Sequence, residues 1–267
     1  MARPVIALLT DFGTKDHYAG TMKGVALGIC PEATCVDITH EIPPHDVLGG
    51  AFELCASYRY FPAGTVFLVV VDPGVGSARR ALAAEAGGYR FVAPDNGVLT
   101  LALQETPPTR LVELTEPRYA LPVVSRTFEG RDRFAPAAAW LATGIDLSSL
   151  GGVVTSWRTL HVPAPLAAGD RIAGEVVRVD RFGNLVTNID RPAVDRLAGA
   201  DGFEIAAGAE TVRGIVAAYA DAGAGALCAL FGSSGHLEVA VSGGSAAERL
   251  RLGRGARVTI ARIASTP

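Results

Sequence analysis

The chain has 267 residues, of which 49% are hydrophobic and 19% are charged, and its formal net charge is −3. This composition is typical of a globular protein with an ample core, and it leaves no basic footprint for nucleic acid. The apolar runs are too short to span a bilayer, and the N-terminus lacks the charged and apolar regions of a signal peptide. We therefore expect neither a nucleic-acid partner nor a membrane segment.

The first part of the chain alternates strand-like and helix-like segments. The strands are predicted at Val5–Leu9, Thr34–Ile38, Val66–Val71 and Phe91–Ala93, and the helices at Tyr18–Cys30, Val47–Tyr60, Leu99–Gln104 and Ala135–Thr143. Such alternation favours an α/β domain with a central, mostly parallel sheet and helices on both faces.

After the segment Pro163-Ala-Pro165 the pattern changes to short strands separated by Gly, Asp and Ser turns. The strands are predicted at Gly174–Val179, Leu185–Ile189, Val212–Val216, Ala226–Phe231, Leu237–Val241 and Arg257–Ile260. Their spacing is typical of a small antiparallel barrel or sandwich. We therefore predict an N-terminal α/β domain at residues 1–165 and a C-terminal antiparallel β-barrel domain at residues 166–267.

Four aspartates follow strand-like runs and precede a nearby glycine, namely Asp11, Asp72, Asp95 and Asp180. Ligands of parallel α/β sheets bind at the carboxyl ends of strands. Repetition of this pattern predicts one polar site assembled from several strand ends. A carboxylate at such an end can bind a ribose diol, whereas the alternative role of Asp11 or Asp16 is to cap the first helix.

Two charged clusters accompany these strand ends. Asp72 and Arg79 form either a structural ion pair or a pair in which Arg79 keeps Asp72 ionised to orient or deprotonate water. Arg131 and Asp132 are expected to form a salt-bridged helix start. Glu129 precedes that helix in a loop, so its side chain is a candidate to point into a cavity.

The second domain offers further candidates. Asp180, Phe182 and Asn184 supply an acceptor, an aromatic face and an amide, which suit an amine and a nucleobase edge. The alternative is a hairpin corner in which Asn184 bonds its own backbone. The turn that holds Ser233 and Ser234 has the donors to bind a carboxylate.

Cofactor motifs are missing from the sequence. It has no G-x-G-x-x-G and no Walker loop, so a cofactor that carries a pyrophosphate is not expected. The four cysteines lack C-x-x-C spacing, and the histidines lack ligand spacing. We expect no metal, and we interpret the cysteines as reduced thiols of a cytoplasmic protein. His45 is either a residue that lines a site or, by default, a surface histidine.

Several long motifs occur in the order found in S-adenosylmethionine hydrolases (adenosine-forming), also called SAM hydroxide adenosyltransferases. They are TDFGTKD, MKGV, VDITHEIPP, VDPGVGSARR, PDNG, TFEGRDRFAPAAA, DRFGNLVTNI and LEVAV. The chain resembles this family nearly end to end, and the family is related to fluorinases and chlorinases. The resemblance implies an α/β domain, a β-barrel domain and a homotrimer in which the ligand lies between the N-terminal domain of one subunit and the C-terminal domain of the next.

The resemblance also implies a reaction and its residues. Water or hydroxide attacks the ribose C5′ of S-adenosylmethionine and releases methionine and adenosine, with no cofactor. Asp72 and Arg79 match two members of an Asp-Arg-His water-activating triad. The remaining matches are Asp11 for the ribose, Asp16 and Asp180 for the methionine amine, Phe182 and Asn184 for adenine, Ser233 and Ser234 for the methionine carboxylate, and Phe128 as a further substrate-binding residue.

Two departures from related sequences bear on function. Glu129 stands where the family usually has the triad histidine, which is consistent with an alternative base, a slower enzyme, a shifted pH optimum or a repurposed site. The halogenating relatives have tyrosine in place of Asp72 and arginine in place of Ser234. The water-orienting pair Asp72 and Arg79 favours a hydrolase over a non-catalytic binder of S-adenosylmethionine or adenosine. An ionised Asp72 repels halide, which disfavours a halogenase.

Overall fold

The computed structural model describes residues 3–197 and 202–263. The chain divides into two compact units, Met1–His161 and Val162–Pro267. Each unit has its own sheet and its own buried core.

The first unit is built on a sheet of six strands within the described residues, ordered β2-β1-β3-β5-β4-β6. The strands are β1 Val5–Thr10, β2 Thr34–Thr39, β3 Val66–Val70, β4 Ala81–Ala86, β5 Tyr89–Pro94 and β6 Arg110–Glu113. Strands β2, β1, β3 and β5 pair in parallel, whereas β4 is antiparallel to both β5 and β6. The mostly parallel sheet predicted from the sequence is confirmed.

Helices cover both faces of this sheet. They are α1 Tyr18–Ile29, α2 Val47–Ser57, α3 Thr100–Glu105 and α4 Ala135–Ala142. Side chains of β1 alternate between two cores, since Ile6 and Leu8 belong to one cluster and Ala7 and Leu9 to the other. This alternation follows from the two-residue period of a strand, and both clusters are apolar because both faces are covered.

Local boundaries differ from the predictions where turns intervene. The helix predicted to reach Tyr60 ends at Ser57 and continues as a 3₁₀ turn, Tyr58–Tyr60. The strand β4 was not predicted, because its sequence ALAAEA has low β-propensity. It forms because small side chains fit a strand whose face is almost entirely buried between β5 and β6.

The second unit is an antiparallel, barrel-shaped and nearly closed sheet of eight strands within the described residues. They are β7 Leu166–Ala168, β8 Arg171–Val179, β9 Leu185–Asp190, β10 Phe203–Ala207, β11 Glu210–Arg213, β12 Leu227–Phe231, β13 His236–Val241 and β14 Arg257–Arg262, with short helices α5 Arg191–Asp195 and α6 Ala246–Leu250. The barrel prediction is confirmed, although the strand predicted to run to Val216 ends at Arg213, before Gly214 with its positive φ.

Among the described residues, no helix combines the length and apolar character needed to cross a membrane.

Candidate active site

Two neighbouring parallel strands deliver carboxylates to one edge of the first sheet. Strands β1 and β3 are paired in register, with Thr10 opposite Val70. Asp11 follows the first strand directly, and Asp72 follows the second after one residue. Because the carboxyl ends of parallel strands coincide, both side chains line the same cavity, whose volume is about 320 Å³.

A buried ionic trio lies at this cavity. The Arg79 Nε donates to both carboxylate oxygens of Asp72, at 2.9 and 2.8 Å, and its Nη2 donates to Asp72 and to Glu129. The side chains of Asp72 and Arg79 are only 4% and 7% exposed. Burial alone lowers the pKa of Arg79, but the bonds to the two carboxylates outweigh it and raise that pKa. The guanidinium therefore stays charged and holds two acids side by side.

The turn that carries Arg79 depends on a glycine. Gly76 has a φ of +74°, and a Cβ built there would lie 2.4 Å from the carbonyl oxygen of Arg126. The Arg126 Nη2 in turn donates to the Gly76 carbonyl at 2.8 Å. This close approach places the Asp72–Arg79 turn against the segment that leads into Glu129.

Glu129 sits at the start of a π-helical turn, Gly130–Phe134, which runs directly into α4. Asp132 in this turn is fully buried and accepts from the Ser125 backbone N–H at 2.7 Å and from Arg131 Nε at 2.5 Å. Burial raises the pKa of Asp132, but these bonds outweigh burial and lower it. Arg131 and Asp132 thus form the salt-bridged helix start expected from the sequence.

Glu129 itself is differently placed. Its side chain is 12% exposed, and its Oε1 lies 4.0 Å from Arg133 Nη2, while Oε2 binds Arg79. One carboxylate oxygen of Glu129 thus has weaker partners than either oxygen of Asp72.

Aromatic side chains form another wall of the cavity. Phe128 packs edge-on against Tyr18, with ring centroids 5.0 Å apart, and against Phe12 at 6.0 Å. Phe134, one turn into the helix, lies 5.3 Å beneath the Arg79 guanidinium. The apolar ring of Phe134 against the guanidinium lowers the local polarity on that side, which strengthens the electrostatic interactions of Arg79.

Asp11 also forms a hydrogen bond to the turn that precedes α2. Its Oδ2 accepts from the His45 backbone N–H at 2.8 Å, and His45 has a φ of +69°. A positive φ is unfavourable for a histidine, so this bond stabilises a strained turn just before α2. This hydrogen bond involves Oδ2 of Asp11 alone.

A second cavity of about 670 Å³ lies within the other unit. Among its lining residues are Asp180, Phe182, Asn184, Tyr219 and Ser233. Asp180 accepts from the backbone N–H groups of Phe182 and Asn184 and from the Asn184 side chain, each at 2.9 Å. The corner predicted here exists, with Asp180 rather than Asn184 as the group that bonds the backbone. Phe182 is 75% exposed.

The family follows from the sequence match. Residues 6–151 match the SAM hydroxide adenosyltransferase N-terminal domain, and residues 174–259 match the C-terminal domain of the same family. The chain belongs to this family.

Individual relatives agree. The chain is 40% identical over 265 residues to a protein of Thermus thermophilus named (R)-S-adenosyl-L-methionine hydrolase, covering 97% of this chain and 99% of that one. The protein of that name from Salinispora tropica is 38% identical and covers 96% and 97%. A fluorinase of Nocardia brasiliensis is 29% identical, covering 97% of each. The crystal structure of an uncharacterized conserved protein from Thermotoga maritima has a TM-score of 0.92 at 37% identity, covering 96% of this chain and all of that one.

The structure distributes the residues matched to this family between the two cavities. Asp11, Asp72, Phe128 and Glu129 line the first, and Arg79 bonds the two acids there. Asp180, Phe182, Asn184 and Ser233 line the second. Asp16 and Ser234 are exposed and line neither cavity, and α1 is preceded by His17, so Asp16 is not its N-cap residue.

Asp95 also follows a strand and precedes a nearby glycine, but its carboxylate has a structural role. It bonds Arg80 Nε at 2.8 Å and the Arg158 backbone N–H at 2.7 Å. Within the single chain, Asp11 and Asp72 line one cavity, Asp180 lines the other, and Asp95 lines neither.

Sequence reasoning missed several lining residues of the two cavities. Tyr18 lies outside the quoted motifs, and Val75 lies within VDPGVGSARR but has no side chain that suggests a role in a site. His45 also lines the first cavity, although its default interpretation is a surface histidine. Tyr219 and Glu238 line the second cavity, and their pairing joins positions 19 residues apart. Only the Pro43-Pro44 dipeptide before His45 signalled an unusual turn.

Proposed function

We propose that the protein hydrolyses S-adenosyl-L-methionine to adenosine and L-methionine. The observation that carries this proposal is the buried Asp72–Arg79–Glu129 trio on a cavity at the carboxyl ends of β1 and β3. Such a trio supplies two acids, fixed in orientation by one arginine, next to a space large enough for part of a nucleoside. Relatives with this domain pair are named hydrolases of the same compound.

The reaction is a direct displacement. The oxygen of a water molecule forms a bond to the ribose C5′, and the C5′–S bond breaks with its electron pair going to sulfur. The sulfonium thereby becomes the neutral thioether of methionine, so the proposal needs no metal or covalent intermediate. The water proton passes to a carboxylate and then to solvent.

Glu129 is the better placed proton acceptor of the two acids. Asp72 receives two bonds from Arg79 Nε and one from Nη2, which fix its orientation and occupy both of its oxygens. Glu129 meets Arg79 through one oxygen, and its other oxygen is 4.0 Å from the nearest guanidinium nitrogen of Arg133. In this assignment Asp72 orients the water and Glu129 removes its proton.

The substrate contacts follow the family matches. Asp11, with one oxygen on His45, binds a ribose hydroxyl with the other. Phe128 contributes to the wall of this pocket. Phe182 and Asn184 bind adenine. Asp16 and Asp180 bind the methionine amine, and Ser233 and Ser234 bind its carboxylate.

The charge of the trio favours water over halide. One arginine faces two acids, so the group carries a net charge of −1 when both are ionised. Like charges about 4 Å apart at an effective dielectric of 20 repel by about 4 kcal/mol, or about a thousandfold in halide occupancy. Water is not subject to this repulsion, which separates this chain from its relatives named fluorinase.

A homotrimer and a cytoplasmic location complete the proposal. In a trimer the second cavity of one subunit completes the first cavity of its neighbour. Phe182, 75% exposed in the single chain, is a residue that such assembly would cover. Light scattering is expected to give about three times the chain mass of 27.6 kDa. The free thiols of Cys30, Cys35, Cys55 and Cys228 suit a reducing compartment.

The deciding experiment measures product formation. Purified protein is incubated with S-adenosylmethionine with and without chloride, and the products are separated by chromatography. Adenosine and methionine should appear at a rate that chloride does not change. Asp72→Ala should abolish turnover while adenosine binding, measured by calorimetry, stays within about threefold.

Other results would contradict the proposal. Binding without turnover would make the protein a sensor of S-adenosylmethionine or adenosine. Chloride-dependent formation of a chlorinated nucleoside would make it a halogenase. Loss of binding and turnover together in Asp72→Ala would show that Asp72 binds the substrate rather than activating water.

A further inference from the structure

Asn184 in the second cavity has both hydrogens of its side-chain amide engaged. Its Nδ2 donates to Asp180 Oδ2 at 2.9 Å and to the Tyr219 hydroxyl at 3.4 Å. An ionised carboxylate only accepts hydrogen bonds, so the atom facing Asp180 must be the NH2 group. The chemistry of its neighbours therefore fixes which way the amide is turned.

Glu238 fixes the second of these bonds. The Tyr219 hydroxyl donates its single hydrogen to Glu238 Oε2 at 2.6 Å, so its oxygen is left to accept from Asn184. Burial and the bond to Glu238 raise the pKa of Tyr219, which keeps the hydroxyl protonated and donating. Donor and acceptor roles thus run in one direction, from Asn184 through Tyr219 to Glu238.

The fold makes room for the Glu238 carboxylate. Glu238 is 6% exposed and stands on β13, opposite Leu230 of β12. A Cβ added to Gly232 would lie 1.8 Å from Glu238 Oε1, so any other residue at 232 would collide with it. The glycine in the turn after β12 therefore leaves room for this acid, which lines the cavity.

We propose that Glu238 and Tyr219 are positioning residues that present the Asn184 carbonyl oxygen to the ligand as a hydrogen-bond acceptor. With both N–H groups engaged, the oxygen is the atom of this amide left for recognition. A hydrogen-bond acceptor at that point can bind the amino group at the purine 6-position, whereas it would repel a carbonyl oxygen there. The cavity therefore selects a 6-aminopurine nucleoside over its 6-oxo counterpart.

This inference rests on the proposed function for the identity of the ligand, but its test does not require turnover. Calorimetry compares the binding of adenosine and inosine, and steady-state kinetics with S-adenosylmethionine are measured in parallel. The unmutated protein is expected to bind adenosine at least about tenfold more tightly than inosine, because inosine would leave two acceptors facing each other.

Three variants separate positioning from packing. Tyr219→Phe frees one Asn184 N–H, whereas Glu238→Leu frees the Tyr219 hydroxyl hydrogen, which can then compete with the ligand for the Asn184 oxygen. Each variant should lower the adenosine-to-inosine ratio at least about threefold, raising KM with little change in kcat. Glu238→Gln retains an acceptor oxygen for Tyr219 and should keep the ratio. Tyr60→Phe, at a tyrosine 77% exposed in the other unit, is the matched control for loss of a hydroxyl. Thermal unfolding checks that each variant is folded.

The outcomes that overturn the inference are distinct. Equal binding of adenosine and inosine by the unmutated protein would refute it, even if hydrolysis were observed. An equal loss of affinity for both nucleosides in Tyr219→Phe would also refute it, because that result means a merely structural role. Selective binding that the variants weaken, without any hydrolysis, would support the inference and refute the proposed reaction.

Discussion

Replacing Glu129 by glutamine tests the assignment of the proton acceptor. The change keeps the shape of the side chain and an oxygen that can accept from Arg79, but it removes the negative charge. Losing an attraction between charges about 4 Å apart costs about 4 kcal/mol at an effective dielectric of 20. Because Asp72 shares the Arg79 Nη2, the change also removes a repulsion of about 3 kcal/mol between acids about 5 Å apart.

The two electrostatic effects nearly cancel in stability. We expect the free energy of unfolding to fall by about 1 kcal/mol, a decrease in Tm of about 2 to 4 °C. Activity is expected to fall much further, because general-base catalysis contributes about 100- to 10,000-fold. Chromatographic detection of adenosine gives kcat, and calorimetric scanning gives Tm. Glu32→Gln, at an exposed position, is the matched control for charge removal.

Either of two results would refute this reasoning. A kcat within about threefold of the unmutated value would mean that Glu129 removes no proton. Unfolding of the variant would mean that the two electrostatic contributions do not cancel. Glu129→His, which restores the usual family residue, should hold or raise kcat, and a collapse there would indicate a different geometry of the trio.

Further predictions concern the turn at Gly76 and the loss of stability at acid pH. Gly76→Ala should destabilise the protein in urea titrations by at least about 1 kcal/mol more than Gly64→Ala, and it should lower kcat. Both glycines have a positive φ, but only Gly76 lies against the Arg126 carbonyl. Equal effects of the two substitutions would contradict this close approach. Hydrogen bonds from Ser148 and Arg110 lower the pKa of Asp146 to about 2. A carboxyl group whose folded-state pKa is depressed stabilises the fold above its unfolded value of 3.8 and loses that contribution as pH falls towards about 2. Asp146→Asn should therefore flatten the acid limb of a plot of Tm against pH, and an unchanged limb would show that the bonds of Asp146 give no net stability.

The sequence predicts those parts of the molecule that depend on local pattern. The parallel strands β1 and β3 have apolar, buried runs, and the coincidence of their ends places Asp11 and Asp72 together without knowledge of side-chain contacts. The same rule fails for Asp95, because the neighbour of Arg79 along the chain, Arg80, bonds it. The sequence pattern predicts which strand ends carry a carboxylate. The hydrogen-bond partners of each carboxylate decide whether its side chain lines the cavity.

Other features depend on contacts that no local pattern records. Strand β4 forms from an alanine-rich segment because neighbouring strands enclose it, so tertiary packing overrides propensity. The bond between Tyr219 and Glu238 requires the chain to return through β12 and β13. The loop position of Glu129 before a helix makes it a candidate to point into a cavity, but its pairing with Arg79, 50 positions away, is a contact that no local pattern records.

The π-helical turn at Gly130–Phe134 makes the site sensitive to chain length. In this turn the Ala135 N–H bonds the Gly130 carbonyl, five residues back, where an α-helix would span four. Each residue of an α-helix rotates the chain by about 100°. Deleting one residue from the turn would leave a continuous helix but swing Glu129 by about that angle, away from Arg79. The deletion would preserve the helix but break the contact between Glu129 and Arg79. Related chains with a gap at this position are therefore expected to keep the fold and to lack the proposed reaction.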